Sequence, residues 1–586
     1  MAVRPEADRA YFAARPEEHA LAHRLDEAFD VTFGQTHGEL AFWLAEPKDH
    51  AKERFGLQQE VLVIFSPHSR TDARVLTAIE NITRHPDFRH RTEKILFLLI
   101  HKGFLDETQE LVRTQTERII VPVGVEELLN PQRGSLFLRK KISDAVGAID
   151  LFGVSSPITS DKNFFGREDL VQHLVNRSAA RRDNTGLFGL RKTGKTSVLF
   201  AVQRRVTDHP VLIEYFDCQN PGIHAARWWQ VLENISTRCS ETLKRQFHRS
   251  ARIIGGYTPA NGGTLFSSDI KAILEEGKLE QTILMLDEVE YITHGLSGAL
   301  GRHWDEDFVP LWQTIRAAHQ ETKGQVSFIV AEVNPACVEK SHFGATPNPI
   351  FQLAAPLYLE PLSVGSVRSM VRSIGRYAGL RFDEEVYPQL QETYGGHPYL
   401  IRIACSELWK VNVSSDPEST KRLGVKDLLG LRTELKARMA QPIKDILLSL
   451  VWWYPDEYGL LQILASGDHA FVAEYLKESP ESMLQFARYG VLRPDTGRFM
   501  IADIREFLNE HGETYKREIS PFIRTDMPLE LLPEVPDLES LGRLFEKRTE
   551  IETALRKVVL MYLGVKHAWA PDKIAKSMIK GLHVRE

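Results

Sequence analysis

The chain is 586 residues long, 43% hydrophobic and 26% charged, with a formal net charge of -6. That length calls for several domains rather than one core, and the mild acidity gives no bulk attraction to nucleic acid or acidic membranes. The four cysteines, Cys218, Cys239, Cys337 and Cys405, lie far apart without Cys-x-x-Cys or Cys/His spacing, which argues against structural zinc or a disulfide framework and fits a reducing compartment.

Residues 1–153 read as a separate α/β domain. Val61–Phe65, Ile95–Ile100 and Ile119–Val123 are continuous apolar or β-branched runs of strand length, with helical patterns at Asp72–Thr83 and Glu107–Thr116 between them. Such runs predict a parallel sheet covered on both faces. The longest apolar runs are too short to span a bilayer, and no basic region followed by an apolar core opens the sequence. A cytoplasmic protein without membrane contact is expected. Val154–Asn163, polar and with Pro157, reads as a linker.

A second α/β domain is predicted over 160–360, with strands at Gly186–Leu190, Val211–Phe216, Ile283–Leu286, Val326–Val330 and Leu357–Leu359 and a helical insert including Ala225–Phe247. A helical lid follows over 361–435. Over 436–512, helical patterns end in a hairpin, Val491–Arg493 and Arg498–Ile501, which suggests a winged helix. Lys436 to Glu510 holds eight Lys or Arg against eleven Asp or Glu, a poor balance for a DNA-binding face. Pro521, Pro528, Pro533 and Pro536 mark a linker, and 540–586 reads as a helical module with Ile551, Leu555, Val558 and Tyr562 on one face.

The chemistry concentrates in the second domain. Gly189-Leu190-Arg191-Lys192-Thr193-Gly194-Lys195-Thr196 has the spacing of a phosphate-binding loop between a strand and a helix. Backbone N–H groups of such a loop wrap a nucleotide's phosphates, the lysine reaches the β/γ oxygens and the threonine ligates Mg²⁺. Gly189, Lys192, Thr193, Gly194, Lys195, Thr196 and Ser197 are therefore the candidate nucleotide contacts. Asp287 and Glu288 end an apolar strand. Asp287 is expected to hold Mg²⁺ with Thr196, and Glu288 to polarise an attacking water. Two roles fit Asn334, which ends the strand from Val326: contact with the γ-phosphate or its water, or initiation of the turn before Pro335.

Two further segments, Phe164-Phe165-Gly166-Arg167-Glu168 and Gly395-Gly396-His397-Pro398-Tyr399-Leu400, stand before and after these motifs. Together the four segments resemble STAND ATPases, the signal-transduction branch of the AAA+ superfamily, and nearly as well the origin-recognition-like AAA+ initiators. The resemblance covers roughly 160 to 510. It implies a P-loop AAA+ sheet domain with helical lid and winged helix, preceded here by a separate flavodoxin-like α/β domain. It implies ATP or ADP with Mg²⁺ as cofactors. It places Phe165, Gly166 and Arg167 on the base side, and Pro398 as the lid's nucleotide contact; proline's rigid ring suits packing on a base. An arginine supplied between subunits is usual in AAA+ assemblies. Arg316 is the nearest candidate here, the alternative being a surface arginine on an amphipathic helix.

The resemblance implies a slow ATPase switch: ADP holds the lid and winged helix shut, and ATP·Mg²⁺ opens them for ATP-dependent homo-oligomerisation that clusters the N-terminal domains. That arrangement would suit bacterial antiphage defence, triggered by a protein or nucleic acid that the sequence does not identify. The rival is a DNA-binding initiator or transposition-regulator ATPase. The N-terminal domain resembles flavodoxin-like or TIR-like effectors in outline. Its Ser66, His68 and Asp72 follow the first strand, where such folds place ligands, but a strand-end loop built from turn formers explains the same residues and is the favoured reading. The piece from Arg548 to Trp569 resembles a HEPN-like module faintly, without the Arg and His spacing of its ribonucleases.

Overall fold

The computed structural model describes residues 2–519 apart from 71, 114–117, 135, 154–155, 207–209, 296–301, 344–345, 413–420, 468–471, 473, 475–482 and 494–495. The linker and helical module expected beyond 519 lie outside the described residues. The chain divides into two compact units, 1–439 and 440–586.

The first unit opens with a sheet of β1 (Phe29–His37), β2 (Leu40–Pro47), β3 (Glu60–Ser66), β4 (Thr92–His101) and β5 (Ile119–Gly124), side by side in chain order. The pairs β3–β4 and β4–β5 are parallel, as the apolar runs predict. β1 and β2 form an antiparallel hairpin on β3, an edge beyond the three expected strands. Its two-residue turn is Gly38-Glu39, with Gly38 at a φ of 60°. The helix Arg74–Arg84 buries Val75, Ala78, Ile79 and Ile82, the i, i+3, i+4, i+7 face, against Leu62, Ile64 and Phe97.

The second sheet is wholly parallel, in the order β10 (Ala354–Tyr358), β6 (Asn184–Phe188), β9 (Val326–Glu332), β8 (Gln281–Asp287), β7 (Val211–Asp217). This order matters for the site. β9 stands between the strand that feeds the glycine-rich loop and the strand that ends in Asp287, so its C-terminal end separates the two. Three helices, Trp228–Phe247, Gly262–Gly277 and Trp304–Glu321, accompany this sheet. The first lies in the expected insert. The stretch Thr159–Asp161 is less of a tether than its composition suggests, because Arg204 donates to Thr159 O and Asp161, binding it along the helix Lys195–Arg205.

The region expected to form a lid holds the helices Val364–Tyr377, Val386–Tyr394 and Pro398–Asn412, with a small parallel pair, Leu380–Phe382 and Lys421–Leu423. The helix Arg432–Trp453 carries the chain into the second unit. There Pro455–Ser466 and Ala502–Ile519 are helical. A bridge between Leu492 and Phe499, with Met500 N donating to Val491 O at 2.8 Å, forms the expected hairpin; its turn at Pro494-Asp495 is outside the described residues.

Candidate functional site

The glycine-rich loop leaves β6 and enters the helix Lys195–Arg205. Two residues turn it through left-handed conformations, Lys192 at φ 61° and Gly194 at φ 98°. For lysine that conformation costs about 1 kcal/mol. The helix offsets the cost by burying Val198, Leu199 and Val202 against Ile213, Ile283 and Ile329, each burial worth roughly 2 kcal/mol. The loop is braced by its own side chains. Thr193 Oγ1 donates to Leu190 O at 2.7 Å, and Lys195 Nζ donates to Gly189 O at 3.0 Å and Leu190 O at 3.2 Å.

Across the sheet, Thr196 Oγ1 donates to Asp287 Oδ2 at 2.6 Å. Tyr215 OH donates to the same oxygen at 3.1 Å, a partner that no motif spacing marks. Burial pushes the Asp287 carboxyl upward, and the bond from Thr196 opposes that. Glu288 follows at φ 54°, ψ 45°, an uncommon conformation for a residue with a side chain. Strain of this kind clusters at functional sites.

Arg167 reaches the same loop. Its buried guanidinium donates to Glu360 O at 3.3 Å, and its Nη1 would be 3.6 Å from a methyl placed on Gly194. Burial lowers its pKa to about 10. Among the described residues no carboxylate lies within 4.0 Å of Arg167 or Lys195, although both are buried. Two desolvated cations without an ion-pair partner are costly unless an anion completes them. The donor set thus fits a polyphosphate, and the adjoining hydroxyl and carboxylate of Thr196 and Asp287 fit a hard divalent cation.

The lid touches the loop through His397. Its Nε2–H donates to Arg191 O at 3.2 Å while Nδ1 accepts from Leu400 N at 3.4 Å. Burial lowers this imidazole to about 4, so it is neutral around pH 7. Pro398 is the first residue of the helix Pro398–Asn412. Lys192 Nζ lies 5.3 Å from the Tyr399 ring centroid.

Other expected residues are engaged locally. Ser197 Oγ accepts from Ile158 N at 3.0 Å, and Asn334 Oδ1 accepts from Ala336 N at 2.9 Å, the turn-starting role. Phe165 is half-buried, and its neighbour Phe164 packs on the sheet core. Arg316, exposed on the helix Trp304–Glu321, donates to Pro349 O at 3.1 Å. Ser66, His68 and Asp72 line a separate cavity of about 390 Å³ in the N-terminal sheet domain.

Two acids behind the loop were not foreseen. Glu332 ends β9 beside Phe188, and its backbone carbonyl accepts from Gly189 N at 3.4 Å. Its side chain accepts from Cys337 Sγ. Glu290 is buried nearby, close to the carboxyls of Glu288 and Glu332. Burial, followed by repulsion from Glu288, raises both carboxyls. The visible signal was a charged residue, Glu332, closing an otherwise apolar strand.

No protein-family model matches the chain, and a search of curated proteins finds no match. Solved structures do resemble it. One is the Walker-type ATPase paby2304 of Pyrococcus abyssi, at 14% identity and a TM-score of 0.41, covering 61% of this chain and 99% of that one. Another is the Aeropyrum pernix ORC1 protein in complex with DNA, at 16% identity and a TM-score of 0.31, covering 64% and 96%. Cdc6p from Pyrobaculum aerophilum is similar at 13% identity and a TM-score of 0.31, covering 64% and 98%. At these identities and TM-scores the likenesses assign the chain neither a family nor an activity.

Proposed function

We propose that this chain binds and hydrolyses ATP at the Gly189–Thr196 loop, and that occupancy of the loop sets the posture of the lid and self-association of the chain. The observation that carries the reading is the 2.6 Å bond between Thr196 and Asp287, beside two buried cations that lack ion-pair partners. In this reading Lys195, Arg167 and the loop's N–H groups hold the phosphates, Thr196 and Asp287 hold Mg²⁺, and Glu288 orients the attacking water. When bound, Mg²⁺ neutralises charge developing on the phosphoryl oxygens. Phe165 and Gly166 line the base side, Pro398 packs on the nucleotide, and Asn334 sits near the γ-phosphate. His397 supports the lid's part, since it carries a direct hydrogen bond from lid to loop. ATP-dependent clustering of the N-terminal domains, a STAND-like switch, is the output, of the kind an antiphage system would use.

Lys195→Ala should abolish ATP binding measured by calorimetry. Glu288→Gln should keep binding within a few-fold while lowering turnover by about 10²–10⁴-fold, and should hold the oligomer in ATP on size-exclusion with light scattering. Undiminished ATP affinity in the lysine variant would remove the reading.

A further inference from the structure

A second cavity, of about 400 Å³, opens where the helix Asp49–Phe55 of the N-terminal sheet domain meets the lid. Lys52 and Arg54 line it from one side, and Arg372, Arg376 and Arg381 from the other. The lid arginines reach across. Arg376 donates to Gly56 O and Arg381 to Glu53 O, the latter at 3.2 Å. They satisfy backbone carbonyls, which leaves their charge uncompensated. Among the described residues no carboxylate lies within 4.0 Å of Arg372, Arg376 or Arg381. Of the two acids lining the cavity, Glu384 is held by Arg368 at 2.7 Å, and Glu53 is exposed.

Lys52 is paired with Glu46 at 3.3 Å, but the three lid arginines crowd the recess with no acid that close beside them among the described residues, and a bound anion would relieve their mutual repulsion. Arginine's planar fork matches phosphate oxygens two at a time. Leu57, Leu380 and Phe382, all buried, line the same recess and offer apolar surface to an organic ring. The volume suits a small ligand and is far too narrow for a duplex. We propose that this cavity binds a small organic molecule carrying at least two phosphate groups, bridging the N-terminal domain to the lid. This site is distinct from the Gly189–Thr196 loop and does not depend on its reading.

The test uses the full chain carrying Lys195→Ala, which silences the loop, with inorganic pyrophosphate as probe in calorimetry. Saturable binding is expected, weakened about ten-fold or more by Arg372→Gln with Arg381→Gln and less by the corresponding lysine pair. Thermal melts check that the variants fold. Should the glutamine pair unfold, Arg372→Gln alone, at an exposed position, should still weaken binding by about three-fold or more. Absence of pyrophosphate binding, or an affinity indifferent to these arginines, would overturn the proposal. A labelled single-stranded oligonucleotide is run in parallel. Arginine-dependent binding of the oligonucleotide without pyrophosphate binding would also overturn it, assigning the cations to a nucleic-acid strand.

Discussion

At the scale of single residues, Gly166 shows how tightly the lid is fitted. It sits at φ 72°, and a Cβ there would collide with Ser366 near the start of the lid helix Val364–Tyr377. Gly166→Ala therefore meets both a left-handed backbone and a clash, and should destabilise the chain by about 2–3 kcal/mol in chemical denaturation. Adding Ser366→Gly should recover the steric part and leave the backbone part. The residues that act through local geometry were legible from the sequence. The loop spacing announced Lys195 and Thr196, and the apolar run before Asp287 placed it at a strand end. Arg167, Tyr215, Glu290 and Glu332 were placed less well or not at all. Each becomes meaningful only when elements distant in sequence pack together, and motif spacing records no such packing.

At the scale of elements, the Gly395–Leu400 turn matters through its histidine more than its proline. His397 keeps a folded-state pKa of about 4 against an ordinary 6.5. Below 6.5 the unfolded chain takes up a proton that the folded chain refuses, so this residue's contribution is present above that pH and lost as pH falls toward 4. At about pH 5 the loss should be roughly 2 kcal/mol relative to about pH 7.5. Denaturation of His397→Asn should show a correspondingly shallower decline over that window; an identical decline in both proteins would contradict the assignment. The elements themselves were read unevenly. Buried parallel strands stood out because both faces are apolar, as in Val61–Phe65 and Ile283–Leu286. The β1–β2 hairpin was missed although its signals were present: Phe29, Val31 and Phe33 alternate with polar residues, and Gly38 opens the turn. Of the hairpin's two strands, β2 is the one buried almost throughout.

At the scale of the first unit, the N-terminal sheet domain and the lid are joined by polar bonds as well as by the basic cavity. Buried Glu93 accepts from Tyr377 OH at 2.6 Å and from Gln58 N and Gln59 N, the last at 2.7 Å. Burial and the neighbouring carboxylate raise the Tyr377 phenol, which keeps it a donor. Behind it, buried Arg402 donates to Leu151 O at 2.7 Å and Phe152 O at 3.1 Å, pinning the end of the N-terminal domain to the helix Pro398–Asn412. In a double-mutant cycle, Tyr377→Phe and Glu93→Gln should couple by about 1–2 kcal/mol in unfolding free energy. Coupling near zero would show that the bond adds nothing to the joint. No helix among the described residues is long and apolar enough to cross a membrane.

The four thiols have a practical consequence. Cys218 follows β7, Cys239 lies in the helix Trp228–Phe247, Cys337 lies in the short helix Ala336–Glu339 after β9, and Cys405 lies in the helix Pro398–Asn412, and all four are buried and free. Alkylating reagents attack the thiolate, which burial both conceals and disfavours. Each cysteine is therefore a dormant chemical clock that starts only when its own surroundings breathe. Peptide-resolved alkylation rates would time the lid, the helical insert and the strand ends separately, with no label introduced.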